Sequence, residues 1–120
     1  MSRAGLAIFI ALGAIVGVFL RWAIFEALSD DIGDGRTVLV NGAGCLLMGL
    51  FVKRQWREGR HSAATVGLCG GLTTFSTFAL DAAIYFDDSH WSAGSLYVAV
   101  TAIASSAAYL IGRQITVASR

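Results

Sequence analysis

Thr73, Thr74, Ser76 and Thr77 put four hydroxyls into five successive positions, and Phe75 and Phe78 stand among them three residues apart. Hydroxyl groups are donors, and an aromatic ring carries a negative face and a positive edge. Gathered in one place, such groups can stabilise an anion stripped of its water. The adjacent glycines Gly70 and Gly71 precede them. Glycine frees the backbone from the helix, and hydroxyls offer it other partners. Carbonyls released near Gly70 and Thr73 would do the reverse and hold a cation. The chemistry on offer is ion coordination. No nucleophile–base pair, metal-ligand cluster or phosphate loop accompanies it, and Asp81 alone is a poor catalytic constellation, so an enzyme is not expected.

Three further sets of polar residues lie within apolar surroundings. Asn41 places an amide inside a hydrophobic run, where an unpaired polar group costs several kcal/mol, so it needs a partner. Tyr97, Thr101 and Ser105 recur every four residues, which sets three hydroxyls in one helical stripe. Arg21 follows Gly13 and Gly17 at the same spacing and shares their face. Small residues at that interval let two helices approach closely. Arg21 reads either as an arginine snorkelling to the interface beside Trp22 or as a vestibule charge that attracts anions.

The elements that must position these groups are transmembrane helices. Apolar residues make up 56% of the 120-residue chain and charged ones only 14%, too greasy for a soluble domain of this size. Four uncharged runs give helices at about 3–28, 37–55, 62–86 and 91–113, and the chain is expected to form a single four-helix transmembrane domain over 1–120. The third helix carries the hydroxyl and phenylalanine stretch and is expected to be broken there. Proline is absent, so glycine is expected to make the break. Unwound backbone in a membrane is tolerated only where protein or a wet cavity satisfies it. The net charge of +1 gives no reason to expect a nucleic-acid partner. Cys45 and Cys69 fall inside apolar runs and read as packed thiols. His61 and His90 sit at helix boundaries without a second ligand at useful spacing.

The string Gly70-Gly71-Leu72-Thr73-Thr74-Phe75-Ser76-Thr77-Phe78 resembles the signature of the Fluc (CrcB) family of fluoride channels. Gly13, Gly17 and Arg21 are similar to the family's first-helix pattern. Val40-Asn41, Gly44 and Gly49 resemble its second, and Tyr97, Thr101 and Ser105 its fourth. The resemblance implies an all-α membrane protein: an antiparallel dimer of four-helix subunits with two narrow fluoride pores. It implies passive export of cytoplasmic fluoride across the inner membrane, which protects the cell. Phe75 and Phe78 would meet the ion with their ring edges, among the hydroxyls of Thr74, Ser76 and Thr77. Asn41 would be a pore donor, Tyr97, Thr101 and Ser105 a polar track, and Arg21 a residue near a pore entrance. A structural sodium ion at the dimer centre would rest on main-chain oxygens of Gly70 and Thr73. Asp81 stands where the family more often has a glutamate, and Thr101 where a serine is familiar. The shorter reach of Asp81 leaves the carboxylate's role open.

Charge decides orientation. One side of the membrane carries Arg3, Lys53, Arg54, Arg57, Arg60, Arg113 and Arg120; the other carries Arg36, with Arg21 buried near it. The positive-inside rule then puts both termini in the cytoplasm. A dual-topology homodimer would prefer less bias, so the partner is either a second copy or an oppositely oriented sister chain; the intact pore motifs favour the copy. Two rival readings stand beside the channel. A small multidrug exporter has similar length but needs an acid within its first helix, where this chain has only Glu26 near the end. A non-transporting membrane scaffold would use the glycines and hydroxyls for packing alone.

Overall fold

The computed structural model describes residues 1–118; Arg120, counted above among the charges of one side, lies outside them. Helix α1 spans Arg3–Ala27, and Ser2 caps it by accepting the Gly5 N–H on its side-chain oxygen at 3.1 Å. A short 3₁₀ turn, Asp30–Ile32, leads to Gly33, whose φ of 55° no β-carbon would favour, and then to α2, Gly35–Phe51. The third membrane crossing comes in two arms. The first, α3 (58–72), starts as an α-helix, Glu58–Ser62, widens to a π-helix over Ala63–Cys69 and closes with Gly70–Leu72. The second, α4, is Phe75–Asp87. Helix α5, Trp91–Ala118, runs on past its expected end near Arg113. No strand occurs among the described residues.

The chain is an all-α membrane protein. Helices Arg3–Ala27 and Trp91–Ala118 and the combined crossing Glu58–Asp87 are long and apolar enough to span a bilayer. Helix α2 is apolar but has 17 residues, at the short limit for a crossing. In α1 only 6% of the apolar window is buried within the chain, so its remaining surface faces lipid or another chain. Leu12, Val16, Phe19 and Leu20 are among its exposed residues.

Without a hydrophobic drive between helices in lipid, association rests on close backbone contact. Two pairings supply it. On α1, a β-carbon at Gly13 would strike the Ala63 carbonyl, and one at Gly17 the Leu68 carbonyl. The contact is reciprocal, because a β-carbon at Gly67 would meet Ile10 and Ala14, and one at Gly71 the Ala14 carbonyl and Val18. Helices α2 and α5 lock in the same manner: Gly49 lies against the Tyr109 carbonyl and Arg113 N, and Gly112 against the Leu46 carbonyl and Leu50 N. Thr116 adds a hydroxyl bond to the Leu50 carbonyl at 2.9 Å.

The break has a different origin from the one expected. Gly70 is helical, with φ −64° and ψ −39°. The extended residues are Thr73 (φ −82°, ψ 155°) and Thr74 (φ −143°, ψ 112°). Gly71 serves packing against α1, and threonines, whose hydroxyls and β-branching favour extended backbone, make the turn.

Candidate functional site

Opening a helix orphans backbone groups, and each needs another partner. Two of the N–H groups that lose their ladder partners at this break find side-chain acceptors. The Thr74 N–H, which a continuous helix would give to the Gly70 carbonyl, donates instead to Asn41 Oδ1 at 2.7 Å. The Thr77 N–H, due to the Thr73 carbonyl, donates to Thr74 Oγ1 at 3.2 Å, an N-cap for α4. The released Thr73 carbonyl accepts from the Arg21 guanidinium Nη1 at 3.0 Å. Asn41 Nδ2 also donates to the Thr74 carbonyl at 3.1 Å. Among the described residues the Gly70 carbonyl receives a side-chain bond only from Thr73 Oγ1, at 3.5 Å.

Beside the break lies a cavity of about 370 Å³, lined by Asn41, Cys45, Thr73, Thr74, Phe75, Phe78, Thr101, Ala102, Ser105 and Ser106. It brings together six of the residues singled out for the ion path: Asn41, Thr74, Phe75, Phe78, Thr101 and Ser105. Thr101 is only 6% exposed, and its Oγ1 has no hydrogen-bond partner among the described residues. A helical threonine usually satisfies itself on a carbonyl of the preceding turn. Thr116 does so, donating to Gly112 at 3.2 Å; Thr101 keeps its hydroxyl for something else. Helix α4 opens at this cavity with Phe75, so the positive end of its dipole lies there.

Four other predicted residues lie outside the cavity lining. The Thr74 hydroxyl pairs with Thr77 at 3.1 Å and lies 3.3 Å from Ser76 Oγ, so those two serve the α4 cap. Arg21 donates to the freed carbonyl of Thr73 at the end of α3. Tyr97 reaches the site through its ring. Phe75, Phe78, Tyr97 and Tyr85 form a ladder with centroids 5.6, 5.6 and 5.7 Å apart. Its hydroxyl donates to Asp81 Oδ2 at 3.0 Å, and Thr37 Oγ1 donates to the same oxygen at 3.1 Å. Tyr97 also lines a second groove, of about 450 Å³, with Asp34, Tyr85 and Leu96.

Sequence reasoning passed over Thr37 and Ser106, read Cys45 only as a packed thiol, and left the role of Asp81 open. Asp81, four residues beyond Thr77 and three beyond Phe78, shares their helical face, but its partners are 44 and 16 residues away in the chain. The proposed cation position can be tested on its donors. The Gly70 carbonyl is nearly unpaired on an exposed residue, and a β-carbon there would meet nothing within 4 Å. The Thr73 carbonyl keeps one lone pair beyond the bond from Arg21. Main-chain oxygens with free lone pairs are hard donors, the class that hard cations take. No group of three or more His, Cys, Asp or Glu side chains that could hold a metal occurs among the described residues.

Residues 8–113 match the family described as CrcB-like protein, Camphor Resistance (CrcB). The chain belongs to the CrcB family. It is 32% identical over 114 residues to a protein of Rhizobium johnstonii named Fluoride-specific ion channel FluC, covering 88% of this chain and 91% of that one. A Haemophilus influenzae protein of the same name (strain ATCC 51907 / DSM 11121 / KW20 / Rd) is 36% identical over 95 residues, 72% of this chain and 59% of the relative. Fluoride-specific ion channel FluC 2 of Parasynechococcus marenigrum is 34% identical over 92 residues, 77% of this chain and 66% of that one. The CrcB match takes in the break, the cavity and every residue placed around them from Arg21 to Ser106.

Proposed function

We propose that this chain is a subunit of a fluoride-specific channel that lets cytoplasmic fluoride leave passively across the inner membrane. Hydrogen fluoride enters as the neutral acid, dissociates in the cytosol, and the anion needs a path out. Fluoride is small and strongly hydrated, so its path must replace water with close donors. The cavity offers the Thr101, Thr74, Ser105 and Ser106 hydroxyls, the Asn41 amide and the Phe75 and Phe78 rings. The observation that carries the reading is the buried Thr101 hydroxyl, which has no partner among the described residues and stands on a cavity otherwise rich in apolar surface.

The path is completed by a second chain in inverted orientation. Phe75 is 78% exposed and so has most of its ring free to line a surface shared with a partner. A second copy is the partner that the intact motifs favour, with an inverted sister chain as the other outcome. Cysteine introduced at Ser89 and labelled from both sides of the membrane is expected to report both orientations; labelling from one side alone would replace the copy by a sister chain. The Gly70 and Thr73 carbonyls of both chains would hold the structural sodium ion, whose charge would offset the carbonyl ends of the two α3 helices.

Thr101→Val tests the assignment cleanly. It removes a hydroxyl with no hydrogen-bond partner among the described residues, so folding stability is expected to stay level or rise. Fluoride efflux from vesicles is expected to fall about tenfold or more, the worth of one hydrogen bond to a charged ion. Unchanged efflux would remove Thr101 from the path.

A further inference from the structure

We infer that Arg21 is a positioning residue: its guanidinium holds the break open by taking over the Thr73 carbonyl, and so sets where Phe75 and Phe78 stand. The inference rests on the channel reading only for its flux measurement.

The geometry assigns this role in three steps. Arg21 lies six residues before the end of α1, roughly 9 Å along the axis from Ala27. A charge at that depth is costly, and the common remedy is to turn the head to the interface. Here it turns sideways, to a main-chain oxygen 52 residues away, and makes no ion pair with a carboxylate among the described residues. Second, the oxygen it meets is one of those orphaned by the break, because the Thr77 N–H has gone to Thr74 Oγ1. Third, the position is fixed by register. Gly13, Gly17 and Arg21 form one stripe on α1, and they meet Ala63, Leu68 and Thr73 of the third crossing in ascending order. The glycines seat α3 against α1, and the arginine ends the contact at the residue where the helix stops. Asn41 holds the next residue from the other side, on α2. The two side chains clamp successive residues, and α4 begins immediately after them.

If the extended turn lost this cation, the Thr73 carbonyl would regain the Thr77 N–H, and the third crossing would coil through. Phe75 and Phe78 would then rotate with α4. Charge is the essential property, since one N–H of the fork makes the bond and a point cation can replace it.

The test compares wild type with Arg21→Gln and Arg21→Lys in the same reconstituted vesicles. Two measurements are made: hydrogen exchange of the segment 73–78, and fluoride against chloride efflux. The expected result for Arg21→Gln is an exchange rate changed about tenfold within 73–78, the worth of one charge-assisted bond, with the rest of α3 and α5 unaltered. Its fluoride-over-chloride preference falls by the same factor, and Arg21→Lys restores both. Exchange in 73–78 that matches wild type in Arg21→Gln overturns the proposal, whatever the efflux does. So does a uniform change throughout the chain that lysine fails to rescue, which marks a general loss of packing. Wild-type vesicles that pass no fluoride would strike the channel reading instead, and the exchange data would still decide the position of Arg21.

Discussion

Asn41 grips Thr74 at both of its backbone polar atoms, accepting from the N–H at 2.7 Å and donating to the carbonyl at 3.1 Å. A primary amide can do both at once, since it carries an acceptor oxygen and a donor nitrogen as separate atoms on one carbon. Both residues are buried, Asn41 at 8% exposure and Thr74 at 5%. Asn41→Ala is therefore expected to leave two buried backbone groups unpaired and to cost about 2–5 kcal/mol. Thermal unfolding in detergent measures it. A loss below about 1 kcal/mol would mean that water or lipid headgroups satisfy the break.

The helix contacts predict opposite signs for neighbouring glycines. A methyl at Gly49 or Gly112 would run into backbone of the facing helix, so each alanine variant is expected to destabilise by about 1–3 kcal/mol. At Gly42 it would meet nothing within 4 Å, and Gly42→Ala is expected to stabilise by up to about 1 kcal/mol through helix propensity. The same unfolding assay separates them.

Gly70 gives a test of assembly. Its β-carbon position is open within the chain, so Gly70→Leu is expected to leave the fold of the single chain intact. If two chains meet at the ends of their α3 helices, the same change obstructs the contact. Light scattering after size exclusion is expected to shift from dimer toward monomer. A variant as dimeric as wild type would move the partner's contact elsewhere.

Asp81 gathers two hydroxyls, from Thr37 on α2 and Tyr97 on α5, at one carboxylate oxygen. Hydrogen bonds to a charged acceptor contribute about 1.5–3 kcal/mol each. Tyr97→Phe and Thr37→Val are each expected to lower stability by that amount and to slow fluoride efflux. Both bonds end on one atom, so the double variant is expected to cost other than the sum of the singles. Strict additivity would show that the two hydroxyls act independently.

Much of this site was legible before any coordinates, and what escaped did so for definite reasons. The break announced itself because glycines and hydroxyls rarely crowd an apolar run, and it falls at Thr73 and Thr74, inside the expected stretch. The agent was misread, because composition shows that glycine can unwind a helix but not that a facing α1 already needs Gly71 for contact. The π-helical turn over Ala63–Cys69 has no sequence period of its own; there the Thr65 hydroxyl takes the His61 carbonyl at 2.7 Å, a competing bond inside the ladder. The stripe of Gly13, Gly17 and Arg21 was visible as spacing. That its last member caps another helix depends on a register between α1 and α3 which sequence alone does not contain. Thr37 was missed for the same reason: it meets Asp81 only once α2 and α4 are side by side.

The two phenylalanines carry the most specific side-chain prediction. Their centroids lie 5.6 Å apart with planes tilted by 53°, within the range of an attractive aromatic pair. Phe75→Ile and Phe78→Ile keep apolar bulk and remove the polarised edge. Each is expected to reduce fluoride efflux by about tenfold or more while the protein remains folded, on the scale of one lost donor to a charged group. Full-rate efflux from either variant would take that ring out of the path.

Fluoride-electrode recording of efflux from vesicles that contain only this chain tests the central claim most directly. The account predicts that fluoride leaves rapidly down its gradient, without a coupled ion, while chloride in parallel vesicles stays inside. Vesicles that release chloride as readily as fluoride, or that hold both, would contradict it.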